Sequence, residues 1–386
     1  MRLGPQFETS SKIAPVLRGF FFCLLLTAIL AVLPTALAAQ KEHQVTDSYG
    51  REVIIPGDVD RVICSGPGCL RLLTYLQAQD AIVGVDSIEK RDARIDPRPY
   101  ALANPQFQEY PLFGEHRGRD SPELVAGLDP QPQVIFKTYP DSGTDPDKLQ
   151  EKTGIPVITL NYGNLTFARE ELDSSLRLMG SIMGKKERAE QVVSYFDELQ
   201  QDLHKRTKDI QEQDRPTCYI GGIAYRGPHG FQSTEPSYSP FEMINARNVA
   251  GELTSERERM DHATVSRENI IMWDPEVIFL DLSTLRLEQE ANALDQLRTD
   301  PAYANLSAAN ADQIYGVFPH NFYTQNFESV LANAYFIGTV LYPDRFQDID
   351  PMDKAEEISK FLNGARAFEE MNQQFGGQGF SRIQAD

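Results

Sequence analysis

Tyrosine, arginine and histidine recur where this chain leaves its apolar, β-branched runs. Tyr139 comes just after Val134-Ile135-Phe136, and Tyr162 just after the run from Pro156 to Leu160. Tyr225, Arg226 and His229 follow the run from Thr217 to Ile223. Arg286 follows Val277-Ile278-Phe279, and His320 and Tyr323 follow Ile314 to Phe318. Phenolate oxygens suit hard Fe(III), and guanidinium groups suit an anionic chelate. The rings can also cover a flat or greasy ligand. His229 and His320 are potential ligands for a chelated or bare transition metal. The remaining histidines, His43, His116, His204 and His262, are scattered and read as surface residues, and Trp273 reads as core.

A turn, Ser65-Gly66-Pro67-Gly68, joins the short run Arg61 to Cys64 to a stretch with helical spacing from Cys69 to Gln77. Backbone N–H groups at such a strand–turn–helix junction face a ligand, so Ser65, Gly66 and Gly68 join the candidate set. The turn is not a nucleotide fingerprint, because it lacks the third glycine and no Lys-Ser/Thr follows. Gly-x-Ser-x-Gly, His-Glu-x-x-His and a phosphate loop are all missing from the chain, which leaves hydrolase and chelatase readings without a motif.

Two carboxylates stand apart from these. Ser121-Pro122-Glu123 and Ser266-Arg267-Glu268 each precede an Asp-Pro by the same spacing, Asp129-Pro130 and Asp274-Pro275, and each Asp-Pro precedes an apolar run. Serine caps a helix N-terminus and an early glutamate suits the positive end of the helix dipole. The residue before proline leaves the α region, which ends the helix. The repeat predicts two similar α/β units, each presenting one glutamate, Glu123 or Glu268, at a helix start.

The elements that must position these residues alternate strand and helix, which predicts α/β architecture: two lobes, each a mainly parallel sheet with flanking helices. The longest periodic segment runs from Thr166 to about residue 208, with Leu172, Leu176, Met179, Met183, Ala189, Val192, Val193, Phe196, Leu199 and Leu203 at helical spacing. One helix of about 40 residues would reach roughly 60 Å, enough to bridge two lobes. Residues 39–165 are then the N-terminal lobe, 166–208 the bridging helix and 215–346 the C-terminal lobe. Residues 347–386 are a charged amphipathic helix from Ala355 to Phe368 and a frayed Gly- and Gln-rich tail.

Arg2, Lys12 and Arg18 precede an apolar run from Gly19 to Leu33, and Ala36-Leu37-Ala38 follows with small residues at the positions a signal peptidase reads. Residues 1–38 are a secretory signal on this pattern. The chain of 386 residues carries a formal charge of −19, and without residues 1–38, which hold three basic residues and one acidic, about −21. Such a charge excludes nucleic-acid binding through bulk electrostatics. Of four cysteines, Cys64, Cys69 and Cys218 lie beyond the signal. An odd number argues against a disulfide scaffold, although Cys64 and Cys69 can pair.

In order along the chain, several stretches resemble one family. They are Val45-Thr46-Asp47 with Gly50-Arg51-Glu52-Val53 and Pro56, then Arg61-Val62-Ile63 and Gly84-Val85-Asp86, and both Ser-x-Glu units. Leu178-Met179-Gly180 with Gly184-Lys185-Lys186-Glu187-Arg188-Ala189 and Leu341-Tyr342-Pro343-Asp344-Arg345-Phe346 complete the set. From Val45 to Phe346 the chain resembles the periplasmic substrate-binding proteins of ABC importers for iron–siderophore complexes, haem and cobalamin. The resemblance implies two α/β lobes joined by one long helix, with the ligand held between them. It implies no enzymatic activity and no permanent cofactor. Glu123 and Glu268 correspond to the acidic residues that dock onto arginines of the membrane permease. A ferric siderophore-like chelate is the expected ligand, with a corrinoid or haem as the alternative.

Overall fold

The computed structural model describes residues 42–254, 258–287 and 291–384. The expected signal, residues 1–38, lies outside them. Lys41–Asp386 forms one compact unit, and among the described residues no helix is long and apolar enough to cross a membrane.

The two repeated units occupy matching places. Val134–Thr138 is the centre of a parallel sheet, flanked by Val62–Ser65 and Val157–Leu160. Val277–Asp281 is an inner strand of a second parallel sheet, between Thr217–Gly221 and Ile314–Val317, with Arg247–Asn248 at the edge. All five residues of each repeated strand are buried, as a strand covered on both faces requires. Each is preceded by a short capped helix. Ser121 accepts from the Leu124 N–H before Pro122–Ala126, and Ser266 accepts from the Asn269 N–H before Arg267–Trp273. Two α/β lobes with parallel sheets and flanking helices therefore match the expected fold class.

The bridge between the lobes differs from the single helix expected over 166–208. Arg169–Ile182 and Lys186–Thr207 are separate helices. Gly184 between them has a positive φ of 65°, and Asn164, not Thr166, organises the entry by accepting from the Thr166 and Ala168 N–H groups. The two helices fold back on each other. Gly180 abuts Ala189, Arg177 pairs with Glu190, and Arg169 pairs with Asp197. An apolar period of 3.6 is the same for one long helix and for two antiparallel ones, so periodicity alone did not reveal the turn. The 22-residue second helix, about 33 Å long, carries the chain toward the second sheet. One apolar core is continuous from the first sheet through this helix and Phe327–Leu341 into the second.

The C-terminal segment also departs from expectation. Its helices are Pro351–Asn363 and Phe368–Gln374. The tail is docked rather than frayed. Phe380 N donates to Gly316 O, Ile383 N donates to Ile314 O, and the Phe380 ring packs 4.7 Å from those of Phe318 and Phe336. Two aromatic and aliphatic anchors in a Gly-rich run are enough to add it to the edge of the second sheet. Cys64, Cys69 and Cys218 are all free and buried, and Trp273 packs half-buried at the edge of the second core.

Candidate functional site

The loop after the last strand holds the two lobes together. Asn321–Asn326 leaves the C-terminal lobe and is gripped by side chains of the N-terminal lobe. Arg71, fully buried, donates to Gln325 O at 2.7 Å and to Asn326 Oδ1 at 2.5 Å. Tyr162 OH donates to Gln325 O at 2.6 Å, and Tyr139 OH lies 2.7 Å from Thr324 Oγ1. Tyr323 OH donates to Asp86 Oδ2 at 2.5 Å and accepts from the Arg117 N–H at 2.9 Å. Tyr323 and Thr324 adopt positive φ, 52° and 68°. A β-branched residue rarely sits there unless its surroundings enforce it.

A cleft of about 360 Å³ opens beside this strap. Four arginines, Arg91, Arg117, Arg226 and Arg286, line it together with His116, and among the described residues no carboxylate contributes to the wall. Tyr225, Asn321, Phe322, Tyr323 and Thr324 complete the polar and aromatic surface. Arg286 is half-buried with its guanidinium 4.8 Å from the Phe322 ring centre. Burial first, and then the charge of Arg91, lower its pKa from the usual guanidinium range. Burial and Arg117 likewise lower that of His116. Guanidinium groups that disfavour one another's charge in the same cavity are stabilised by an anion between them, and a neutral His116 can donate a hydrogen bond to it.

Buried polar groups set the walls. Lys137, fully buried, pairs with Asp120 at 2.7 Å and donates to Ser65 Oγ and to Gly118 O, both at 3.0 Å. That fixes the turn that offers His116 and Arg117. His320 sits under the strap and contacts Glu235 Oε2 at 2.9 Å, with Asp281 Oδ2 3.7 Å away in ion-pair contact. Burial would lower its pKa, but Glu235 and Asp281 together push it up to about 10, so the ring is a buried cation.

Of the residues expected at the site, Tyr225, Arg226, Arg286 and Tyr323 line the cleft. The others lie elsewhere. Ser65 is spent on Asp120 and Lys137. Gly66 and Gly68 serve packing: a Cβ at Gly66 would meet Thr138 O at 2.4 Å, and one at Gly68 the Tyr162 ring at 2.2 Å. Pro67 is the part of that turn that reaches the cleft. Tyr139 and Tyr162 hold the strap, and burial raises both phenols above their usual range. His320 is a supporting ion pair below the lining. His229 does not meet His320; its ring lies 5.7 Å from that of His262. Two residues read as surface histidines are thus placed differently, His116 in the cleft wall and His262 half-buried against Tyr225. Arg91, Arg117 and His116 were missed because they come from the irregular, proline-rich stretch 87–120, where no periodicity points inward. Among the described residues no three His, Cys, Asp or Glu side chains gather to hold a metal.

Glu123 and Glu268 are exposed on their two helices. Each carboxylate is held below the usual range by its own backbone N–H and by the capping serine, Ser121 or Ser266.

A family model described as periplasmic binding protein matches residues 62–319. The molybdate-binding protein MolA of Haemophilus influenzae is 24% identical over 353 residues, 86% of this chain and 93% of that protein. Its structure bound to molybdate superposes with a TM-score of 0.63 at 20% identity, covering 84% of this chain and 98% of the other. A periplasmic solute-binding protein of Veillonella parvula superposes with a TM-score of 0.66 at 18% identity, covering 87% and 97%.

Proposed function

This chain belongs to the periplasmic binding protein family, and on that premise we propose that it captures a small, oxygen-rich anion in its cleft and delivers it to an ABC-type permease. The observation that carries this reading is a lining of four arginines and a histidine with no carboxylate among the described residues, in a protein whose formal charge is −19. Guanidinium forks match oxyanions bidentately and stay charged when desolvated. A metal oxyanion of the molybdate type fits that chemistry, and the similarity to the molybdate-binding protein supports it.

A second reading is the anionic ferric chelate expected from the sequence. The cleft volume favours it, since about 360 Å³ is within the range of pockets for larger small molecules. The iron would then keep the chelate's own donors. Tyr139 and Tyr162 are committed to the strap, and Tyr323 to Asp86.

Export with cleavage after Ala38, a periplasmic location and the absence of catalysis belong to the same reading. So does docking through Glu123 and Glu268. Each lies near exposed apolar residues, Leu124 at 45% exposure beside Glu123, and Ile271 at 42% and Met272 at 70% near Glu268. A charged point with an apolar neighbour on each lobe suits two-point registration on a permease.

Titration calorimetry with molybdate, tungstate, sulfate, ferric catecholate and hydroxamate chelates, haemin and cobalamin tests the proposal. One equivalent of an oxyanion or of an anionic ferric siderophore chelate, recovered unchanged, is the expected result. Preference for cobalamin or haemin, or chemical conversion of any ligand, would refute it.

A further inference from the structure

Tyr225 has a second neighbour outside the cleft. Its ring stacks on His262 with centres 4.3 Å apart and planes 11° apart, and His262 lies 5.7 Å from His229. Both histidines are half-buried. Their hydrogen bonds decide which nitrogen of the neutral ring carries the proton. His229 Nε2 lies 2.7 Å from the carbonyl oxygen of Tyr225, which can only accept, so Nε2 is the N–H. Ser233 Oγ donates its single proton to Ile223 O at 2.7 Å. That leaves Oγ to accept from His262 Nε2 at 3.0 Å. Each ring therefore keeps Nδ1 as its basic nitrogen.

A ring N–H held by a carbonyl or hydroxyl, with the other nitrogen free to bind, is how proteins orient metal-ligating histidines. We propose that His229 and His262 form a binding site for a divalent transition-metal ion of the Ni(II), Cu(II) and Zn(II) class, through both Nδ1 atoms. Imidazole nitrogen suits these ions. At a bond of about 2.0–2.1 Å the ion sits about 3.2 Å from each ring centre, so two rings sharing it have centres about 4.5 Å apart at a right angle and at most about 6.4 Å apart in line. The separation of 5.7 Å falls inside that window. Stacking on Tyr225 and the bond to Ser233 hold the His262 ring in place before any ion arrives, which lowers the ordering cost of binding. No third His, Cys, Asp or Glu joins the pair among the described residues. Water, or donor atoms of a molecule in the adjoining cleft whose wall includes Tyr225 and Arg226, complete the coordination. The site stands independently of the anion reading, because neither histidine lines the cleft.

The test uses untagged protein recovered from periplasmic extract and no anion. Calorimetry with Zn(II) and Ni(II) is expected to show one equivalent bound. His229→Gln and His262→Gln each weaken it more than tenfold, while His204→Gln, on an exposed position of Lys186–Thr207, leaves it unchanged. Ser233→Ala, which frees the His262 ring, weakens it about tenfold. Nitrogen-15 spectra of the metal-free wild type are expected to show both rings as Nε2–H tautomers, with Nδ1 shifting on metal addition. These spectra need no variant to fold. Absence of metal binding, binding unaffected by His262→Gln, or a ring resting as Nδ1–H would overturn the proposal.

Discussion

Arg226 and Arg286 enter the cleft from different loops of the C-terminal lobe, and Arg91 and Arg117 come from the N-terminal lobe. A charge-assisted hydrogen bond to a bound anion is worth about 1.5–3 kcal/mol. Arg226→Ala or Arg286→Ala should therefore weaken the anion about ten- to hundredfold in calorimetry. Unchanged affinity would remove that residue from the site. Asp86 behind the lining gives a second outcome at this scale. Burial, with Glu89 nearby, pushes its carboxyl up to about 7. A carboxyl that binds its proton more tightly in the folded state stabilises the fold at low pH and loses that contribution as pH rises from about 4 to about 7. Wild-type stability in urea should fall between pH 5 and pH 8, and Asp86→Asn should reduce the fall by about 2–3 kcal/mol. Equal slopes would show that Asp86 does not titrate in this range. At the scale of single residues the sequence was half informative. Arg226 and Arg286 follow strands, where α/β sheets offer ligands, whereas Arg91 and Arg117 come from a loop that only tertiary packing turns inward.

Two elements decide the cleft's shape: the strap Asn321–Asn326 and the turn at Gly66–Gly68. Gly68 has φ 75°, and a Cβ there would lie 2.2 Å from the Tyr162 ring and 2.7 Å from Thr324. Gly154 has φ 71° with open space around it. Both pay a conformational penalty on Gly→Ala, and only Gly68 adds overpacking of about 1–3 kcal/mol. Chemical denaturation should rank Gly68→Ala below Gly154→Ala by that margin, and only Gly68→Ala should weaken the anion. Equal losses at the two positions would mean the turn does not support the strap. The strands and capped helices were legible because local pattern determines them: a Ser cap, an Asp-Pro stop and a β-branched run. The helical hairpin 169–207 was not, because its reversal at Gly184 leaves the 3.6-residue period intact. The strap was not legible either, since residues at positive φ such as Tyr323 and Thr324 obey distant partners rather than their own preferences.

The whole molecule is two lobes sharing one continuous core, with a cationic cleft and, on each lobe, an exposed glutamate at a serine-capped helix start. On the docking proposed above, registration on a permease would need both points and ligand capture neither. Charge reversal at Glu123 and Glu268 together should abolish uptake in cells and leave ligand affinity within about twofold, since neither residue lines the cleft and exposed charges contribute little. Loss of affinity in the isolated double variant would assign them to ligand binding instead. On the proposed function, the four guanidinium groups receive the anion. The most direct measurement is an anomalous difference map, at the edge of the metal, from crystals grown with the tightest ligand of the panel. The expected peak lies in the cleft, with ligand oxygens within about 3 Å of Arg226 and Arg286 nitrogens. A peak elsewhere on the molecule, or one in the cleft bound directly by tyrosine oxygens with the arginines turned away, would show that the guanidinium groups do not hold the anion.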